Sequence, residues 1–561
     1  MTSRRAARGA EAMRARGSRA AAPPGGPATG WVTLAMALAL ALQHGAALGM
    51  PFLGDDYSIL DKVRNASFTS LWQRNGLLYY WYRPWSRELH YWVLEHLFGT
   101  HERAYHLVSF ALWLGIMTLY FTLARRLVGG RAAALACAGV AGLAAWAGTL
   151  LWVAGVQELW MLLFALLVLH AFARRRALAA AAALALALLS KETAAVLPGI
   201  ALVWALAVDG DGPGVALKRI APLAVVTAAW LIVHPWLHAV VSNAMPGNTE
   251  ALGRPGVAGI LGRLALSFVN LEQRPAPASG WWPALSAGLA GAAVLVGFAA
   301  WALAPRIGTR AAGPARGALA LAAAWVALGA LPLFARSIGW HAYYGLLAAL
   351  GAWILLAALL APRPTLALGV VAAIAVLRPL RADTPSWDWS STAYQQRAGY
   401  FLGRLRDDLL HKHPTLPSGS RLYFWDVPQN IGLIVGDGAP VRVWYRDSTL
   451  RAGYVSAYAP RRAVAAVGQD YFFRFDSTAT WVEVTRGAED VEAARRANPR
   501  WADDHRALAL ALGGAGDWAG AAAEIEKLAA VYPQDFQYAL NLGVCYENLG
   551  DAEAARRWYA R

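Results

Sequence analysis

From residue 31 to about residue 380, long apolar runs alternate with short turns that are basic or aromatic. Runs 31–42, 286–303 and 317–335 carry no charged residue, and a bilayer core needs about 20 apolar residues per helix. The pattern predicts about eleven spans, near 31–50, 104–124, 133–152, 158–173, 177–190, 193–208, 219–240, 280–303, 317–335, 341–361 and 365–380. The two flanking Ser190 are short, which suits tilted or re-entrant segments. Segment 256–272 contains Arg263 and reads as an interfacial helix.

Beyond Arg381 the pattern becomes that of a soluble chain. A helix is expected over 390–413, then strands at Arg421–Trp425, Val441–Tyr445, Tyr471–Phe475 and Thr480–Val484 between Gly, Pro and Asp turns, giving a small α/β module over 382–487. From 488 to 561 the pattern is helical. Leu508, Gly516, Asp517, Ala521 and Pro533 form one register, and Leu542, Gly550, Asp551 and Ala555 repeat it 34 residues later. That interval resembles the tetratricopeptide repeat, although the usual large aromatic near the start of the first helix is missing in both copies.

Composition narrows the class. Of 561 residues 57% are hydrophobic, mean hydropathy is +0.36, and 26 are Trp, more apolar surface than a soluble core needs. The formal charge of +16 sits largely at the ends of apolar runs, so it is read as topology and not as a nucleic-acid footprint. With Arg4, Arg5, Arg8, Arg14, Arg16 and Arg19 inside, residues 1–30 form a basic cytoplasmic N-terminus followed by an uncleaved first helix. The same parity places loop 51–103, the turns at 152–158, 190–193 and 336–341, loop 241–279 and everything after Arg381 on the outer face. Cys137 lies in an apolar run and Cys545 in the C-terminal helices, so no disulfide framework or metal-ligand pattern is expected.

Several outer-face groups carry chemistry. Asp55 and Asp56 open the first loop, Arg83 and Arg87 follow in its aromatic stretch, and Glu158, Lys191, Glu192, Arg336 and His341 occupy later turns. Carboxylates deprotonate an acceptor hydroxyl, and Arg or Lys holds a phosphate leaving group. Each has a plainer reading: Asp55-Asp56 caps a helix, the arginines snorkel to headgroups, and the aromatic run 79–92 is an interfacial belt.

The ordered set of the acidic pair, YRPWSRELHYWVLEHLFGTHERAYHLVSFALWL, VAGVQELWMLLFALLVLHAFARRR and LLSKETAAVLPGIALVW resembles the GT-C superfamily of polyprenyl-phosphate-sugar glycosyltransferases. With the C-terminal repeats, it is similar to the tetratricopeptide-bearing membrane O-mannosyltransferases and their bacterial relatives. The resemblance implies an α-helical polytopic membrane domain over 31–381 whose first outer loop is catalytic, with the α/β module and repeats outside. It implies transfer of a sugar, mannose among the candidates, from a polyprenyl-phosphate donor to a protein or glycan, with inversion. In that frame Asp55 is the catalytic carboxylate, Asp56 the neighbour that can replace it, and Arg83, Arg87, Glu158, Lys191, Glu192, Arg336 and His341 bind substrate. Metal use is left open, since an acidic pair also holds a hard divalent cation. The Ala- and Arg-rich composition points to a bacterial inner membrane with the C-terminal domain in the periplasm. Two rival classes are a non-enzymatic scaffold whose repeats dock a protein partner, and a flippase of a lipid-linked sugar.

Overall fold

The computed structural model describes residues 27–74, 81–235, 255–272, 281–304, 316–335, 340–380, 392–427, 438–461, 468–476, 480–484 and 490–561. The chain divides into two compact units: Met1–Met50 with Ala66–Gln395, and Pro51–Asn65 with Gln396–Arg561. The segment 51–103, which links the first two long helices, is thus divided between them.

The first unit is helical and belongs to an integral membrane protein. Among the described residues seven helices are long and apolar enough to cross a bilayer: Thr29–Gly49, Glu102–Val128, Val153–Ala173, Pro213–Val233, Leu285–Leu303, Arg316–Phe334 and Ala342–Leu360. Gly130–Ala141 and Ala144–Leu150, bent by 55°, make an eighth if they are one span. The other positions read as spans hold the shorter helices Ala177–Leu188, Glu192–Val208 and Pro364–Leu380. At about 1.5 Å per residue these fall short of a hydrocarbon core about 30 Å thick. Segment 256–272 contains the short helix Val257–Ser267, with Ile260 and Leu264 buried and Val257 and Leu261 exposed.

The bend has a local cause. Buried Asn270, itself in a left-handed conformation at φ 57°, donates to Gly142 O at 2.8 Å and accepts from Ala144 N at 2.9 Å. Its amide satisfies the backbone groups that the break releases, which hydrocarbon cannot do. A second close approach occurs at Gly155, just before helix Val156–Ala173. A Cβ there would stand 2.5 Å from Gly148 O and 2.7 Å from Thr149 Cα. Because both are backbone atoms, Gly155→Ala is expected to lower stability by about 1–3 kcal/mol, the usual range for overpacking, read as an earlier thermal transition of the purified protein.

The second unit is built on a four-stranded sheet. Its strands are β1 (Arg421–Trp425), β2 (Arg451–Tyr454), β3 (Asp470–Phe475) and β4 (Trp481–Val484), in the order β2-β1-β3-β4. β2, β1 and β3 run parallel and β4 antiparallel to β3. Three strands lie where the sequence suggests, and helix Thr392–Lys412 occupies the expected 390–413. The fourth expectation is corrected: 441–445 belongs to a helix, Ala439–Tyr445, and the fourth strand is Arg451–Tyr454. The Val-x-Val alternation suggests a strand, but Gly438 at φ 78° turns the chain and Pro440 sits in the first helical turn, where proline favours a helix start.

The C-terminal helices Trp501–Gly514, Trp518–Val531, Phe536–Asn548 and Ala552–Tyr559 carry matching devices 34 residues apart. Gly516 and Gly550 have φ of 80° and 78°. Asp517 caps by accepting from Gly520 N, and Asp551 from Ala554 N, both at 2.9 Å. Leu508 and Leu542 are fully buried in the core that also takes in Tyr423 and Phe472 of the sheet.

Candidate active site

In the membrane unit, charged groups from turns far apart in sequence meet in one buried cluster. Pro84 opens a wide π-type turn, Pro84–Leu89, a conformation frequent at functional sites. The turn is pinned where Trp85 N donates to Leu189 O at 3.2 Å and Ser86 Oγ to Ser190 O at 2.7 Å. These bonds bring Arg83 to Glu192. Arg83 Nε lies 3.0 Å from both Glu192 carboxylate oxygens, Nη2 donates to Oε2 at 2.7 Å, and Nη1 donates to Gln157 Oε1 at 2.9 Å. His234 Nε2 is 3.8 Å from Glu192 Oε1.

Beside this pair, Lys191 Nζ donates to Glu158 Oε2. Lys191 also lies 5.1 Å and 4.3 Å from the ring centroids of Tyr343 and Tyr344, a cation–π arrangement. Glu158 is 1% exposed, and its Oε1 is buried without a hydrogen-bond partner among the described residues. His341 packs on the same tyrosines, with centroid distances of 5.8 Å and 5.4 Å.

The electrostatics follow from burial and pairing. Burial alone would push the Glu192 carboxyl up, but Arg83 and His234 outweigh it and hold the group down at about 2. Burial likewise opposes the charge on Arg83, and Glu192 overcomes it, raising the guanidinium above its ordinary value. Lys191 is lowered, because burial outweighs the attraction of Glu158. Two cations and two carboxylates cancel, so the cluster is close to neutral.

Of the residues singled out by sequence, the structure brings together Arg83, Glu158, Lys191 and Glu192, with His341 joined through the tyrosines. Arg87, 3% exposed, is engaged elsewhere, by Glu88 Oε1 at 2.7 Å and Trp81 O at 2.6 Å. Arg336 lies outside the described residues. Gln157, His234, Tyr343 and Tyr344 were not singled out: three are uncharged and His234 ends an apolar helix, so only proximity to Glu158 and His341 in sequence could have flagged any of them.

Asp55 and Asp56 belong to the other unit. They open the helix Asp55–Val63, preceded by Gly54 at φ 40°. Asp56 is fully buried, and its Oδ2 accepts from Leu53 N at 2.8 Å. Asp55 is partly exposed. Among the described residues no group of three or more His, Cys, Asp or Glu side chains is arranged to hold a metal ion.

Residues 84–238, a stretch that contains Gln157, Glu158, Lys191, Glu192 and His234, match the family dolichyl-phosphate-mannose-protein mannosyltransferase. No curated protein matches by sequence. Solved structures similar to this chain include ArnT from Cupriavidus metallidurans bound to undecaprenyl phosphate, with 17% identity, 86% of this chain and 92% of that chain covered, and a TM-score of 0.45. The apo state of ArnT from the same organism matches with 20% identity, 75% and 85% coverage and a TM-score of 0.33. The family match bears out the resemblance to the GT-C superfamily.

Proposed function

We propose that this GT-C-type chain is a membrane glycosyltransferase, moving a sugar from a polyprenyl-phosphate donor to an acceptor hydroxyl on the outer face of the membrane, with inversion. Mannose is the first sugar to test, following the family's name. The acceptor oxygen bonds to the anomeric carbon, the bond from that carbon to the phosphate oxygen breaks with its electron pair leaving on phosphate, and the acceptor proton passes to Asp55. Asp56, tied back to Leu53 N, is the supporting neighbour. A protein or glycan is the acceptor, and the C-terminal helices, read as tetratricopeptide-type repeats, hold it. The span count of about eleven and the periplasmic setting belong to the same reading.

The observation that carries this reading is Lys191. An ammonium has three N–H bonds; one meets Glu158, and the faces of Tyr343 and Tyr344 lie against the group. Ring faces are weaker partners than an anion's oxygens, so a phosphate oxygen displaces them readily. Arg83 adds positive charge, and Glu158 Oε1, which has no hydrogen-bond partner among the described residues, accepts from a sugar hydroxyl. A phosphate leaves without a strong acid when cations take up its charge. Arg87, Glu192, Arg336 and His341 support that clamp.

The test is transfer from synthetic polyprenyl-phosphate-mannose in membranes carrying the full chain, with released polyprenyl phosphate and glycosylated product both quantified. Lys191→Gln is expected to weaken binding of polyprenyl phosphate by about 10- to 100-fold, the range of one charge-assisted hydrogen bond. Wild-type binding by that variant, or no transfer from mannose or other common lipid-linked sugars, overturns the reading.

A further inference from the structure

Helix Asp55–Val63 packs against helix Ala439–Tyr445 of the α/β module, within the same compact unit. Three side-chain bonds hold the pair. Arg442 Nε donates to Asp61 Oδ2 at 2.6 Å, Arg64 Nη1 donates to Arg442 O at 2.6 Å, and Trp444 Nε1 donates to the Tyr57 hydroxyl at 3.0 Å. The Tyr57 and Trp444 rings also meet edge to face at 5.6 Å. Tyr57, Asp61 and Arg64 are spaced i, i+4, i+7, so at about 100° per residue they share one face of the helix. By the same rotation Asp55 lies at least about 120° from each of them.

We propose that Arg442 and Trp444 are positioning residues for the transfer reaction: the α/β module grips the first-loop helix by the face away from Asp55 and so fixes where that carboxylate stands. The inference rests on the reading of Asp55 as the base. Its physical content is the multiplicity of the grip. Burial of Ile59, Leu60 and Val63 seats the helix, and the directional contacts at Tyr57, Asp61 and Arg64 add fixed points for both its rotation and its position along its axis. Arg442 also supplies both a guanidinium and a backbone carbonyl to the grip, so its side chain can be removed while Arg64 keeps its partner.

The experiment compares full-length wild type with Arg442→Ala, the reversed pair Arg442→Asp/Asp61→Arg, and Trp444→Phe, which removes the indole donor to Tyr57 and trims the ring while keeping it aromatic. Two quantities are read: amide hydrogen exchange over 51–65 and over β1 and β3, and the separate kcat and KM for polyprenyl-phosphate-mannose. Arg442→Ala is expected to speed exchange in 51–65 about tenfold while β1 and β3 keep their protection. Its kcat is expected to fall about 10- to 100-fold with KM for the donor unchanged, as misplacement of a reacting group predicts. Trp444→Phe gives a smaller change in the same direction and the reversed pair regains part of the loss. Wild-type exchange over 51–65, a loss confined to KM, or a reversed pair no better than Arg442→Ala overturns the proposal. If Arg442→Ala does not fold, Trp444→Phe decides by the same two readings. A fully active Asp55→Asn instead removes the base reading, and the exchange result still judges the grip by itself.

Discussion

Asp55→Asn is expected to lower sugar transfer by about 10²- to 10⁴-fold, the usual contribution of a general base, while binding of polyprenyl phosphate stays at its wild-type level. Asparagine keeps the size of the side chain but removes its negative charge and its affinity for a proton; wild-type binding of polyprenyl phosphate by the same variant is what separates this loss from a fold defect. Asp56→Asn is expected to do less. Its carboxylate oxygen accepts from Leu53 N, just ahead of the helix, and an asparagine carbonyl can accept that bond too. Measuring product formation and released polyprenyl phosphate together separates transfer from hydrolysis of the donor. Should Asp55→Asn transfer at the wild-type rate, the base lies elsewhere.

Arg83→Ala is expected to destabilise the membrane unit by about 3–5 kcal/mol, because it leaves a largely buried carboxylate without its guanidinium partner. The Arg83 and Glu192 side chains are each only 14% exposed, and Arg83 makes three contacts of hydrogen-bond length with that carboxylate and a fourth with Gln157. Arg83→Lys keeps the charge but loses the planar fork, so it recovers part of the stability. The double replacement Arg83→Met/Glu192→Met removes both charges and is expected to melt close to wild type while transfer stays low. Thermal unfolding in detergent, run beside the transfer assay, separates the two effects. A single Arg83→Ala variant with a wild-type transition would show that the pair is not buried as described.

The charged members of the cluster were legible in the sequence because charge is conspicuous beside long apolar runs. What the sequence could not show was the pairing. Arg83 and Glu192 are 109 positions apart, and Lys191 and Glu158 are 33 apart, so no local periodicity links them. Tyr343 and Tyr344 merged into an apolar run because their role depends on which cation lies over their rings. The segment 441–445 was misread because its alternating valines satisfy the strand pattern, while the signals that decide the matter, Gly438 and Pro440, precede it. The 34-residue spacing of Gly516 with Gly550 and Asp517 with Asp551 was visible because local capping chemistry needs the same residue at the same place in each copy.

Gathering Pro51–Asn65 into the same unit as Gln396–Arg561 sets the order of events during synthesis. Arg64 finds the carbonyl of Arg442 only after 378 further residues have been added. At about 5–20 residues per second that interval is roughly 20 to 75 seconds. Through that time the helix that carries the acidic pair has emerged without its docking surface. Docking of that helix therefore comes late in synthesis, and a chain truncated before residue 439 would insert its apolar helices and still lack the helix that holds residues 55–63.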